Sequence, residues 1–306
     1  MHIGVDLGGT KIEVLLLDEK GQERFRQRLP TPRGHYQAIL YTIQQLVQEA
    51  EQQAGKVCTL GIGTPGAISQ ATGLMKNSNS VVLNGKPLQK DLEIILQRPV
   101  RLENDANCFA LSEATDGAAA GAPIVFGVII GTGTGAGIVI NGHLVTGANR
   151  IGGEWGHNAL PWPQINELPG KACYCGKQGC IETWLSGPGF AADYQSLSGV
   201  SLNAAEVVQR AEQGDRGAEQ ALQHYEQRLA KSLAHVINIL DPHIIVLGGG
   251  MSNTQRLYTN VPRYWQNYIF SDQVNTRLVA PRYGDSSGVR GAAWLGLQPP
   301  QRFNAG

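Results

Sequence analysis

His2-Ile3-Gly4-Val5-Asp6-Leu7-Gly8-Gly9-Thr10-Lys11-Ile12-Glu13-Val14-Leu15-Leu16-Leu17 reads as an apolar strand, a glycine bend and a second apolar strand. The same order returns over residues 124–140. There Ile124-Val125-Phe126-Gly127-Val128-Ile129-Ile130 leads into the bend Gly131-Thr132-Gly133-Thr134-Gly135, and Ile138-Val139-Ile140 returns to the hairpin pair Asn141-Gly142. Ile3-Gly4-Val5 falls on Phe126-Gly127-Val128, and the two bends nearly coincide. One glycine-rich hairpin is common in α/β proteins. Two at matching places point to an internal duplication, with one such hairpin opening each half.

Between these landmarks, apolar Ile39, Ile43, Leu46, Val47 and Ala50 recur at helical spacing and predict a helix over about 34–53. A strand follows at 59–63, an irregular stretch at 77–84 and a helix near 88–97. The short strand Val100-Arg101-Leu102 then delivers Asn104 and Asp105 to the start of another helix. In the second half a long helix over 216–240 is stopped by Asp241-Pro242, and the strand Ile244-Ile245-Val246-Leu247 ends in Gly248-Gly249-Gly250. An Ala-rich helix at 288–297 is placed to return to the first half. No low-complexity linker separates the halves, so two closely apposed domains with a cleft between them are expected. The expected partition is 1–117 with 288–306, and 118–287.

A chain of 306 residues, 42% of them hydrophobic, is long enough for two cores. Lys and Arg total 25, as do Asp and Glu, so no long-range field draws nucleic acid or an anionic membrane. The apolar run at 124–140 is broken by its glycines and threonines and is too short to span a bilayer. Met1-His2 leads straight into the first strand without a basic n-region, so a cytoplasmic protein is the expectation.

Three glycine-rich bends each follow an apolar strand: Gly8-Gly9-Thr10, Gly131 to Gly135, and Gly248-Gly249-Gly250. Glycine lets a backbone approach a ligand and turn its N–H groups inward, which makes an anion-binding concavity. Thr10, Thr132 and Thr134 add hydroxyls and Lys11 a positive charge. The pattern is neither a P-loop nor a strand–glycine–helix dinucleotide site. It suits a triphosphate held between two domains. Asp6, beside the first bend, is a candidate Mg²⁺ carboxylate or else a turn former. Asp105, judged from its own segment, reads as an ordinary helix N-cap.

Cys173-Tyr174-Cys175-Gly176-Lys177-Gln178-Gly179-Cys180 carries three of the chain's five cysteines. Three thiolates in eight residues can wrap one tetrahedral ion, with His157 of Glu154-Trp155-Gly156-His157 as the nearest fourth ligand. Free thiols or a disulfide are the alternatives. A closed site of this kind is structural. Glu154 and Glu182 flank it, either as partners for ligand hydroxyls in one pocket or as solvated surface charges.

These pieces, with Asn104-Asp105-Ala106-Asn107, Gly284-Asp285 and Arg290-Gly291-Ala292-Ala293, occur in the order found in the ROK family of sugar kinases and regulators, which the chain resembles over nearly its whole length. The resemblance implies an α/β, actin-like (ribonuclease-H-like) ATPase fold with ATP and Mg²⁺ in the cleft. It implies Asp105 as general base. It also implies sugar contacts from Gly66, Asn79, Asn104, Glu154, His157 and Glu182, and zinc on His157, Cys173, Cys175 and Cys180 within a loop over 157–182. One ring nitrogen of His157 would bind metal while the other donates to a sugar hydroxyl. Ala136 stands where many members have glycine, and its methyl is expected near the phosphates. The expected assembly is a homodimer.

Within the family, Lys76-Asn77-Ser78-Asn79-Ser80 with Leu83-Asn84-Gly85, and His157-Asn158-Ala159-Leu160-Pro161-Trp162, resemble bacterial fructokinases of the manno(fructo)kinase type. Fructose, with mannose second, is therefore the expected acceptor of phosphate at its 6-hydroxyl. N-acetylglucosamine kinase or glucokinase is the alternative within the family. From other classes, a sugar-responsive regulator and a non-catalytic sugar binder compete. A regulator is disfavoured because Asp6 stands close to the start with no DNA-binding helices ahead, and because there is no basic excess.

Overall fold

The computed structural model describes residues 1–299 apart from Asn79. The contact expected of Asn79, the tail 300–306 and the side chain of Asp285 lie outside the described residues. The chain runs through β1 (His2–Leu7), β2 (Lys11–Leu17), β3 (Glu23–Pro30), α1 (Tyr36–Ala54), β4 (Thr59–Thr64), β5 (Ala67–Ile68), β6 (Met75–Lys76), α2 (Leu88–Leu96), β7 (Arg101–Asn104) and α3 (Asp105–Thr115). It continues through β8 (Ile124–Ile130), β9 (Thr134–Ile140), β10 (His143–Leu144), α4 (Glu182–Leu185), α5 (Gly187–Ser198), α6 (Ala204–Glu212) and α7 (Arg216–Leu240). The last elements are β11 (Ile244–Gly248), α8 (Leu257–Trp265), β12 (Arg277–Val279) and α9 (Ser287–Leu295).

Two five-stranded sheets carry the molecule, in the orders β3-β2-β1-β4-β7 and β10-β9-β8-β11-β12. The first three strands of each are antiparallel, and the last two run parallel to the central one. Each strand of one sheet thus has a counterpart in the other, which is the duplication anticipated from the two hairpins. Asn141 (φ 49°) and Gly142 (φ 77°) both take the left-handed conformation, as a tight two-residue hairpin demands.

Alternation along the strands sets the layers. Ile12, Val14 and Leu16 of β2 face one core with α1, whereas Leu15 and Leu17 face a second core containing α3 and α9. A third core lies between the second sheet and α4, α5, α7 and α8. Strands buried on both faces read as continuous apolar runs, which is why β1, β2 and β8 were evident from sequence. The edge strands β3, β10 and β12 were not anticipated. β3 is largely polar and half-exposed, and the other two are two and three residues long.

The middle layer is built by exchange. α3 follows the first sheet in sequence but packs on β8 and β9 of the second, while α9 follows the second sheet and packs on β1 and β4. The aligned glycines make this possible. A Cβ on Gly4 would lie 2.1 Å from the Val289 carbonyl oxygen of α9, and one on Gly127 would lie 2.7 Å from Cα of Ala110 in α3. A side chain at either position would hold the crossing helix off its sheet.

The helix ends follow their local chemistry. α1 stops at Gly55 in the left-handed conformation, and its five predicted apolar positions are all buried. α7 begins at an Asp215 cap that accepts from the Ala218 N–H and ends at left-handed Asp241, just before Pro242. No helix among the described residues is long and apolar enough to cross a membrane.

Candidate functional site

The three bends sit at the C-terminal ends of β1, β8 and β11, the edge of parallel-containing sheets where ligands bind. The second and third pack against the first turns of α3. A Cβ on Gly135 would meet the Ala106 methyl at 3.3 Å, one on Gly248 would strike the Phe109 ring at 2.6 Å, and one on Gly249 would strike the Ile130 carbonyl at 2.4 Å. Several bend amides are already committed. Gly8 N–H donates to the Lys11 carbonyl (3.0 Å), Gly131 N–H to the Gly133 carbonyl (2.9 Å), and Thr134 N–H to Oε2 of Glu182 (2.8 Å). The N–H groups of Gly9, Thr10, Thr132, Gly133, Gly249 and Gly250 meet no acceptor among the described residues. They are the donors left for an anion.

Asp105 is the first residue of α3, and the cap is its neighbour: Oδ1 of Asn104 accepts from the Asn107 N–H at 2.7 Å. The capping duty that offered the plainest account of Asp105 therefore belongs to Asn104. Asp105 is exposed between the bends, and its Oδ1 accepts from the Ala106 N–H at 2.9 Å. Desolvation by the surrounding protein raises its pKa, and the backbone N–H groups offset that only in part. Asp6 is pushed up to about 6, first by burial, then by the charges of Asp105 and Glu13, against the pull of Lys11 and Arg28. The two aspartates thus share one electrostatic neighbourhood. Glu13, fully enclosed behind them, pairs with Arg26 (2.9 Å), Arg28 (2.9 Å) and Lys11 (3.6 Å).

Gly66 (φ 85°) packs against the Lys76 carbonyl and the Ser78 N–H, and a Cβ on Gly9 would lie 3.3 Å from Ser80 Oγ. Ser80 thereby lies beside the first bend, and Lys76 and Ser78 beside Gly66. Asn84 pins Ser78 by accepting from its N–H and donating to its carbonyl, each at 2.9 Å. Ala136 departs from expectation. It is 3% exposed within the second sheet's core, so its methyl faces apolar side chains and not the phosphate bend. Residues pointing to opposite faces of a strand alternate, and position 136 falls on the inner face.

Glu182 joins the second bend to the cysteine loop. Its Oε2 is held by Thr134 N–H. His157 Nδ1 lies 3.6 Å from Cys173 Sγ, Cys175 Sγ lies 3.6 Å from Cys180 Sγ, and all four candidate ligand atoms fall within 4.8 Å of one another. Zinc–sulfur bonds of about 2.3 Å at tetrahedral angles put ligand atoms about 3.7 Å apart, so the four groups fit one zinc ion. His157 Nε2 points away, 2.9 Å from the Tyr174 hydroxyl, with the rings perpendicular at 5.1 Å. Burial first, then the charges of Glu182 and Glu154, push the Tyr174 phenol up to about 12. Tyr174 thus stands against His157 and within the electrostatic reach of Glu154 and Glu182.

Sequence reasoning missed Tyr174, whose only signal was an aromatic residue between two ligand cysteines. It also missed what braces the loop. Glu167 accepts from Arg228 Nε and from Lys231 Nζ, each at 2.7 Å, and Arg228 also reaches Asp193 at 2.6 Å. Burial would raise the Glu167 pKa, but the bonds from Lys231 and Arg228 outweigh it and hold the carboxyl below its usual range. Arg228 lies over the Trp184 ring at 4.4 Å, so α7, α5 and the loop are locked together. These residues are scattered over 65 positions of sequence, from 167 to 231, and no spacing rule links them. A cavity of about 900 Å³ lined by Pro123, Ile244, Phe270 and Thr276 lies at the opposite ends of β8, β11 and β12, away from the bends.

Matched sheets with glycine bends around a carboxylate at the start of the exchanged helix define the actin-like ATPase class. The chain belongs to the ROK family, which matches it over residues 2–298. It is 39% identical to the N-acetyl-D-glucosamine kinase of Yersinia enterocolitica and 41% identical to that of Salmonella typhimurium, each over 301 residues covering 97% of this chain and 99% of the relative. The ROK hexokinase of Thermus thermophilus superposes with a TM-score of 0.86 at 30% identity, covering 96% of this chain and 97% of that one. The Streptomyces griseus ROK glucokinase in complex with glucose and AMPPNP gives 0.74 at 26% identity, covering 95% and 97%. A ROK protein of Streptococcus pneumoniae in complex with sucrose gives 0.80 at 25% identity, covering 97% and 98%.

Proposed function

We propose that this chain is a sugar kinase that transfers the γ-phosphoryl group of ATP to the 6-hydroxyl of a hexose. The observation that carries this is the set of uncommitted N–H groups on the glycine bends, with exposed Asp105 at the start of α3 and with Glu182, beside the cysteine loop, tied to the second bend by the Thr134 N–H. The AMPPNP and glucose of the Streptomyces glucokinase, and the kinase names of the curated relatives, support ATP as donor and a sugar as acceptor.

In this reading Asp105 accepts the proton of the 6-hydroxyl as that oxygen attacks phosphorus. Its raised pKa makes it a better proton acceptor. The free N–H groups of the bends hold the donor's phosphate oxygens, and Lys11 and Arg28 add positive charge behind Asp6. Asp6 is the carboxylate that would hold Mg²⁺, which neutralises phosphate charge when bound. His157, Cys173, Cys175 and Cys180 would hold zinc, which supplies rigidity rather than chemistry. Closure of the halves about α3 and α9 would exclude water.

Two acceptors have specific support. The curated relatives favour N-acetylglucosamine over the fructose expected from sequence. Fructose, with mannose, keeps the support of the 76–80 and 157–162 stretches of sequence. A coupled assay of ADP release over fructose, mannose, glucose and N-acetylglucosamine separates them, and kcat/KM ranks the acceptors. Asp105→Asn should abolish turnover while sugar binding survives. Turnover of the variant near the parental rate with the best sugar would end the assignment of the base.

A further inference from the structure

Tyr174 stands at the sugar end of the groove without a structural duty of its own. It is 80% exposed, it packs into none of the three cores, and its backbone lies between Cys173 and Cys175 in the turn closed by Cys173 N–H on the Lys177 carbonyl. Its single anchor is the hydroxyl, 2.9 Å from His157 Nε2, with the phenol ring edge-on to the imidazole. His157 turns its other nitrogen, Nδ1, toward Cys173 Sγ at 3.6 Å. With Nδ1 given to the metal site, the ring carries its proton on Nε2, and that one N–H can serve only one good acceptor at a time.

We propose that Tyr174 is a self-competing gate on the sugar pocket: its phenol oxygen occupies the His157 N–H in the empty enzyme, and a sugar hydroxyl must displace it to bind. This rests on the reading of Glu154, His157 and Glu182 as the sugar site. The geometry suits a gate. Neighbouring ligand positions on both sides fix the backbone, so only the side chain needs to turn, and its exposure leaves room for that. The contact is one hydrogen bond at a solvent-facing site, cheap enough to be exchanged on every turnover. A sugar able to present a hydroxyl or an amide carbonyl oxygen to the imidazole recovers the bond, whereas one that presents a deoxy carbon there leaves the phenol in place. Tyr174 thereby biases acceptor choice as well as affinity.

The test uses zinc-replete full-length protein carrying Tyr174→Phe, with Tyr174→Ala as a second variant. Sugar Kd is measured by titration calorimetry and sugar KM by the coupled assay, with fructose and N-acetylglucosamine each as probe. Removing the competitor should lower both Kd and KM for the accepted sugar about two- to tenfold, with kcat, ATP KM and zinc content unchanged. Glu154→Gln and Glu182→Gln serve as markers of the site and should raise sugar KM. If they do so while the Tyr174 variants bind sugar equally or more weakly, the phenol is a wall or a direct sugar ligand and the gate is refuted. If they leave sugar KM unchanged, the sugar-site reading fails and the gate falls with it.

Discussion

Replacing Asp6 by Asn should make the protein more stable and catalytically inert, with a pH dependence that identifies the cause. In the folded chain the Asp6 carboxyl is raised from 3.8 to about 6 by burial and by the negative charges of Asp105 and Glu13. The native state therefore holds this proton more tightly than the unfolded chain does. Stability from this group is fully present at pH values below 3.8 and is lost as pH rises through about 6. At about 1.4 kcal/mol per pKa unit the cost of ionising Asp6 at pH 7.5 is on the order of 3 kcal/mol, falling to roughly half at pH 5. An Asn of the same shape escapes that cost. Urea denaturation of parent and variant, followed by two probes, should show Asp6→Asn stabilised by about 1–3 kcal/mol at pH 7.5, with a gap that narrows towards pH 5. A variant no more stable than the parent at pH 7.5, or a gap that widens on acidification, would refute the account of Asp6 as a strained carboxylate kept for its chemistry.

Two further outcomes follow from the loop and its brace. Purified protein should contain about one zinc per chain; Cys180→Ser should lower that content and raise sugar KM through the loop that aims His157 and Glu182, as metal analysis and the coupled assay would show. Among the described residues, Arg228→Met leaves the Asp193 carboxylate with only the 3.8 Å contact to Lys171, and Glu167 with Lys231 and the Gln164 N–H. Breaking a buried pair costs about 3 kcal/mol or more, so this variant should unfold at clearly lower urea while Asp193→Leu added to it recovers part of the loss.

What the sequence by itself determined are the features that local chemistry writes in neighbouring residues. The two hairpins of 2–17 and 124–140 were legible because strands buried on both faces must be apolar throughout, and because a bend that shows N–H groups to a ligand needs glycine. The Cys173–Cys180 cluster was legible because ligands of one ion in a tight loop must be close in sequence. Only the tertiary structure decided which groups those features meet. It gave the cap of α3 to Asn104 and freed Asp105 for the groove, and it committed Thr134 N–H to Glu182. It turned the Ala136 methyl into the core, set the Tyr174 phenol on His157, and gathered Glu167, Asp193, Arg228 and Lys231 from three elements into one buried cluster. Such pairings join residues tens of positions apart. They depend on the exchange of α3 and α9 between the sheets and on the packing of the loop against α7, so no stretch of sequence short enough to be read locally contains them.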